Sequence, residues 1–164
     1  MIIDDLNEIA EQERAARKPC AIRCCLAAGC MSSDSKAIKA ALAKAVQDAG
    51  LEGQIEIRGV GCLRLCGQGP LVQTDPDGAL YQKVTAADAD ALIRTLGSGD
   101  GGLQRVDLAQ PFFTRQLPIV LANCGTVDPE RIESYIAADG YQALHEVLRE
   151  KTPKEVVDEL IRSG

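Results

Sequence analysis

The apolar positions at the start of the chain fall at helical intervals. Ile2, Leu6, Ile9 and Ala10 recur over residues 2–16 with charged residues on the other face, which predicts a short amphipathic helix. Pro19 ends it, because the residue before a proline is pushed away from helical backbone, and residues 21–25 (AIRCC) then read as a short strand. A second helix is predicted next. Ser33, Asp34 or Ser35 can cap it, Ile38, Ala41, Leu42, Ala45, Val46 and Ala49 form its stripe, and Gly50 stands where a left-handed residue closes a helix. Residues 54–60 (QIEIRGV) alternate Ile55 and Ile57 with polar neighbours, the period of a strand. Residues 71–84 are two β-rich runs around the turn Asp75-Pro76-Asp77-Gly78, so a hairpin is expected. Thr85 can cap a further helix whose Leu92, Ile93 and Leu96 face inward.

After the leading helix the order is therefore β, α, β, β, α. This is an α/β fold, one small sheet with helices packed against it, and a thioredoxin-like arrangement is the economical way to connect it. GSGDGG at 97–102 predicts a flexible break. Beyond it, residues 118–125 (PIVLANCG) read as a buried strand, and Asp128-Pro129 opens a helix over 129–138 that Gly140 terminates. YQALHEVLRE predicts another helix. Thr152-Pro153-Lys154-Glu155 is a capping box opening a third, along Val156, Val157, Leu160 and Ile161. The expected organisation is a leader helix at 1–18, an α/β domain at 19–96, a linker at 97–102 and a mostly helical extension at 103–164. So short an extension makes a weak core by itself and is expected to begin something larger.

Composition narrows the class. Only 3% of residues are aromatic against 46% apolar, so the core must be aliphatic and alanine-rich. A net charge of −6 with no basic stripe excludes a nucleic-acid binder, which needs positive surface to neutralise phosphates. No apolar run approaches the roughly 18 residues of a membrane span, and the acidic start does not read as a signal peptide, so a cytoplasmic protein is expected. The seven cysteines are an odd number in a reducing compartment, which argues against a disulfide framework.

Those cysteines are the main chemical feature. Cys25 and Cys30 are separated by four residues, Cys62 and Cys66 by three, with residues 31–61 between the pairs. Each pair falls where a predicted strand gives way to a loop, so two such junctions side by side would gather four thiolates. Structural zinc usually takes tighter C-x2-C knuckles. A binuclear iron–sulfur cluster needs two thiolates on each iron and tolerates the wider spacing. Gly59, Gly61, Gly67 and Gly69 are expected to let backbone N–H groups approach sulfur, where they would moderate the charge of the cluster. A redox dithiol would need C-x-x-C at a helix start, and no two cysteines here have that spacing.

The segments CLAAGC (25–30) and GVGCLRLCGQGPLV (59–72) resemble the thioredoxin-like [2Fe-2S] ferredoxins, a group that includes the small NADH-dehydrogenase subunit of respiratory complex I. Residues 112–148 and 152–164 resemble the opening of the flavin- and NADH-binding subunit shared by complex I, NAD-dependent formate dehydrogenases and NAD-reducing hydrogenases. Together they are most similar to the diaphorase flavoprotein subunit of bidirectional NAD-reducing nickel–iron hydrogenases. The resemblance implies one [2Fe-2S] cluster held by Cys25, Cys30, Cys62 and Cys66, and a role as a one-electron relay. It implies the other diaphorase and hydrogenase subunits as partners, and no catalytic residue within this chain. FMN, NAD(H) and a [4Fe-4S] cluster belong, by the same resemblance, to the part of such a subunit that follows the Ser163-Gly164 at which this sequence stops. The same role in complex I or formate dehydrogenase, and a structural zinc module, are the alternatives.

The remaining candidates read as structural. Cys24 and Cys25 point to opposite faces of a strand, so one of them can meet the cluster; spacing in the family favours Cys25 and leaves Cys24 to the core. Cys20 and Cys124 read as packing thiols. His145 is the only histidine and reads as a surface imidazole. Arg23 and Arg64 flank the cysteine loops and read either as moderators of cluster charge or as ordinary solvated arginines. Asp75 and Asp77, with Pro76 and Gly78, read as turn chemistry.

Overall fold

The computed structural model describes residues 3–98 and 101–164, so Ile2 of the leading helix and residues 99–100 of the expected break lie outside the described residues. Strand β1 (Cys20–Cys25) is central in a four-stranded sheet of order β2-β1-β3-β4. β2 (Ile55–Val60) runs parallel to it, with Cys20 opposite Ile55 and Cys25 opposite Val60. β3 (Val72–Asp75) is antiparallel to β1, and the two-residue β4 (Leu80–Tyr81) is antiparallel to β3. A parallel pair needs a long crossover, which the helix α3 (Ser35–Asp48) supplies; a single turn, α2 (Ala28–Met31), precedes it.

Neighbouring residues of β1 serve two different cores. Ile22 and Cys24 pack with Ile38, Leu42 and Val46 of α3 and with Ala89 and Leu92 of α4 (Ala89–Ser98). Cys25 joins Cys30, Val60, Leu63, Leu71 and Leu80 in a second cluster. Gly50 has φ +65, the left-handed closure expected of it. Before α4, the Asp88 carboxylate accepts from both the backbone N–H and the hydroxyl of Thr85 at 2.8 Å, a cap on the 3-10 turn Ala86–Asp88. Thr85→Ala is expected to cost about 1 kcal/mol, read as a lower urea midpoint with an unchanged slope.

Residues 17–130 form one compact unit, so the stretch after the glycine-rich segment packs with the sheet. Arg105 bridges Tyr81, Val106 N–H donates to the Leu80 carbonyl at 2.8 Å, and Val106 and Leu108 pack onto the second core cluster. A one-turn helix, α5 (Pro111–Thr114), follows. The expected strand at 118–125 does not form. Ala122 N–H donates to Ile119 O and Cys124 N–H to Leu121 O, closing turns, while Val120 is 95% exposed. An apolar run becomes a strand only when a sheet edge pairs with it, and here its amides are taken locally.

Residues 3–16 and 131–164 form the other compact unit: α1 (Ile3–Ala15), α6 (Ile132–Ile136), α7 (Gln142–Glu150) and α8 (Pro153–Ser163). Leu6, Ala10 and Ile136 make its small core. Buried Glu13 accepts from both terminal nitrogens of Arg131, at 3.1 and 2.8 Å. The helix expected at 129–138 is shorter because Asp128 accepts from Glu130 N–H, a local turn, and helical structure begins only at Ile132. Thr152 and Glu155 form the expected capping box of α8.

Candidate metal centre

The two cysteine loops leave the sheet from adjacent parallel strands. Cys25 N–H donates to the Leu71 carbonyl at 3.1 Å and Leu26 N–H to Val60 O at 2.8 Å, so the first loop is stitched on both sides as it leaves β1. The α2 turn then carries Cys30 back inward, and Cys25 and Cys30 are each 1% exposed. The second loop runs from the end of β2 through Cys62 to the 3-10 turn Cys66–Gln68. Cys62 is half-buried and Cys66 exposed, so the site has a closed inner side and an open rim.

The loops interlock through glycines. A Cβ on Gly29, in the first loop, would lie 3.5 Å from Cys66 Cβ and 3.8 Å from its Sγ. A Cβ on Gly69, in the second, would lie 3.0 Å from Cys30 Sγ and 3.4 Å from the Cys66 carbonyl. Each loop thus gives up a side chain where the other loop's cysteine sits. Cys62 Sγ and Cys66 Sγ are 3.6 Å apart, and Arg64 N–H points at Cys62 Sγ at 3.2 Å from a backbone with φ 67. Cys62 and Cys66 form one sulfur couple, and the Cys25 thiol interacts with that of Cys30; among the described residues no three His, Cys, Asp or Glu close on one point as ligands of a single ion.

Burial, and then the adjacent Cys25 thiol, push the Cys30 thiol up to about 12. The hydrogen bond with Cys62 raises the Cys66 thiol, with the charge of Cys62 adding to it. Both thiols are therefore protonated at neutral pH in the metal-free fold. Thiolates are what ligate metal, so loading releases protons and favours higher pH.

The other sequence candidates separate clearly. Cys24 is buried among Ile22, Ile38 and Leu42, facing away from Cys25, and desolvation pushes its thiol up to about 12 against the lowering effect of Lys39. Cys20 packs against the same cluster. His145 is half-buried and lines an apolar groove with Leu6, Tyr141, Leu144 and Leu148. Asp77 serves the hairpin turn, accepting from Thr74 Oγ1 at 2.7 Å, but Asp75 does more, pairing with Arg23 at 2.8 Å. Arg23 is no solvated arginine: it is 9% exposed. Arg64 reaches the site through its amide, which the sequence did not single out. Of the four glycines expected to admit amides to sulfur, only Gly69 lies against one of the paired thiols. Gly59 makes room for Leu26 and Lys39, Gly61 faces Cys124, and Gly67 has open space.

A four-stranded mixed sheet with two helices on one face and a pair of cysteine loops at its end is a ferredoxin-like electron-transfer domain on a thioredoxin-like scaffold. Residues 11–97, more than half of the chain, match the thioredoxin-like [2Fe-2S] ferredoxin family, and the chain belongs to it. A [2Fe-2S] cluster is the cofactor that this membership supports. One similar protein is the NADP-reducing hydrogenase subunit HndC of Solidesulfovibrio fructosivorans, 54% identical over 50 residues, which are 30% of this chain and 10% of that subunit. Another is the 2Fe-2S ferredoxin of Clostridium pasteurianum, 29% identical over 66 residues, 40% of this chain and 65% of the ferredoxin. The chain thus spans a tenth of the one and under two thirds of the other. The thioredoxin-like [2Fe-2S] ferredoxin of Aquifex aeolicus has a solved structure with TM-score 0.44 at 23% identity, over 48% of this chain and 85% of that one. A cysteine-to-serine variant of it gives TM-score 0.46 at 24% identity, over 49% and 90%. No helix among the described residues is long and apolar enough to cross a membrane.

Proposed function

We propose that Cys25, Cys30, Cys62 and Cys66 hold the [2Fe-2S] cluster and that residues 19–96 relay single electrons within the diaphorase part of a hydrogenase. The observation that carries this reading is the interlock of the two loops, with Gly29 against Cys66 and Gly69 against Cys30. The donor set fits the group: four thiols in two couples, one already receiving an amide hydrogen bond. When bound, such a cluster supplies a one-electron couple. The chain's part is to position and tune it. Buried Cys25 and Cys30 hold the inner side in low dielectric, Arg64 N–H offsets charge on Cys62, and exposed Cys66 leaves the rim where a redox partner can approach.

The local match to a hydrogenase subunit supports partners of that kind: further diaphorase and hydrogenase subunits, with a flavin that exchanges hydride with NAD(H) as the source or sink of electrons. Residues 103–164 would then be the opening of the flavin-binding domain. The same role in complex I or formate dehydrogenase is the alternative within this class.

The test is iron and acid-labile sulfide analysis after anaerobic purification, with EPR of the dithionite-reduced protein. Two iron and two sulfide per chain with a spin-half signal are expected. Zinc without sulfide would replace the relay with a structural zinc module. Cys24→Ala is expected to keep the full cluster content and to cost about 1–2 kcal/mol of stability, since it removes one buried sulfur from the opposite core. Loss of iron in that variant would move the ligand from Cys25 to Cys24.

A further inference from the structure

We propose that Arg23 is a positioning residue, the latch of a cover that the turn 123–126 forms over the second cysteine loop, and that this cover limits the access of water to the Cys62 side of the site. The inference rests on the reading of Cys62 as a ligand. Arg23 lies on β1 two residues before Cys25, hence on the same face of the strand. An arginine this buried is held by fixed partners. Its Nη2 pairs with Asp75 Oδ1 at 2.8 Å, and its Nη1 donates to the Gly125 carbonyl at 2.5 Å. Its Nε is buried with no partner, so those two bonds are what offset the desolvation of the guanidinium.

Gly125 and Gly61 mark the contact between cover and loop. A Cβ on Gly125, whose φ is +84, would lie 2.7 Å from Leu63 Cδ2 and 3.6 Å from the Cys62 carbonyl. A Cβ on Gly61 would lie 3.8 Å from Cys124 Sγ and 3.9 Å from Gly125 N. The two segments therefore pass close at backbone level. A second arginine helps: Arg58 Nη1 donates to the Thr126 carbonyl at 3.5 Å. Upstream of the turn, Ile119 and Val120 are 78% and 95% exposed, so that flank gives no anchorage. Without Arg23 the buried Gly125 carbonyl loses its partner, and the turn is expected to lift toward water, uncovering Cys124 and the Cys62 backbone together.

The experiment uses the full chain, metal-free and cluster-loaded, as wild type, Arg23→Gln and Gly125→Ala. In the metal-free form, alkylation by iodoacetamide is followed at each cysteine by mass spectrometry. In the loaded form, the visible absorbance is followed under a ferrous chelator. Arg23→Gln is expected to raise Cys124 labelling and the rate of cluster loss about tenfold each, the factor that losing one buried charge-assisted hydrogen bond gives a local opening. Labelling of core Cys24 should stay unchanged, which separates an unlatched cover from general loosening. Gly125→Ala leaves the buried arginine intact and acts from the turn, so it decides the matter where Arg23→Gln fails to fold. Without altering any charge it should also shift the reduction potential upward, because water favours the more negative reduced state. Wild-type labelling and lifetime in the variants, or Cys24 labelling that rises with Cys124, would overturn the latch. A wild-type chain that takes up no cluster would instead overturn the relay reading, and Cys124 labelling would still decide whether the latch exists.

Discussion

Cys62→Ser is expected to leave the chain folded and to empty it of iron and sulfide. The two halves of that result have separate causes. Cys62 is half-buried in a loop beyond the end of β2, and its Sγ touches Cys66 Sγ and the Arg64 amide, so a smaller hydroxyl there disturbs no packed core. A serine hydroxyl gives up its proton far less readily than a thiol and is a harder, weaker partner for iron, so one of four ligands is weakened at its charge as well as its atom. Iron content near zero after anaerobic loading, with a denaturation midpoint within error of the metal-free wild type, is the expected pair of readings. Cys25→Ser should also empty the site but destabilise the metal-free fold as well, by about 1–3 kcal/mol, because that hydroxyl is buried among Val60, Leu63 and Leu71. A Cys62→Ser chain that still loads iron would shift attention to Cys124, across Gly61 from this loop. The double variant Cys62→Ser/Cys124→Ser would then have to lose it.

The elements that place these cysteines could be read from sequence because local signals and tertiary packing agree there. The alternation of residues 54–60, the stripe of Ile38, Leu42, Ala45 and Val46, and Gly50 at its end all specify what β2 and α3 adopt. The opposite facing of Cys24 and Cys25 follows from the period of a strand and appears as membership of two core clusters. The tail was harder, for a physical reason. PIVLANCG has the composition of a strand but takes its own amides in turns, and no local rule says whether a sheet edge is available to it. Arg23 was illegible for a related reason. Its partners are Asp75, on a neighbouring strand, and Gly125, a hundred residues along the chain, and only the folded topology brings a carboxylate and a carbonyl to the same guanidinium. The glycines of the second loop show the same limit. Sequence indicated that side chains are excluded at these glycines, whereas the structure gives three of them different neighbours, Leu26 at Gly59, Cys124 at Gly61 and Cys30 at Gly69, and leaves Gly67 in open space.

That last assignment makes Gly69→Val the sharpest test of how the loops meet. The backbone at Gly69 has φ −66 and ψ 164, extended geometry that a β-branched residue accepts without strain, so the substitution acts through its side chain alone. A Cβ at this position already stands 3.0 Å from Cys30 Sγ, and the Cys66 carbonyl is at 3.4 Å. Valine adds two methyl groups beyond that Cβ, and Cys30 is 1% exposed with little space into which its sulfur can withdraw. Two couples of sulfur therefore have to separate, one carried by each loop. Iron content after loading should fall to about a tenth of wild type or less, the factor that corresponds to a little over 1 kcal/mol of lost ligand geometry. The metal-free chain should stay folded but melt several degrees below wild type, since overpacking against buried Cys30 costs about 1–3 kcal/mol. Alkylation separates the outcomes further: a displaced Cys30 should react faster, while Cys24 on the opposite face should not change. Full iron content in Gly69→Val would mean that Cys30 is not held by this loop contact, and the interlock would no longer support the four-cysteine assignment.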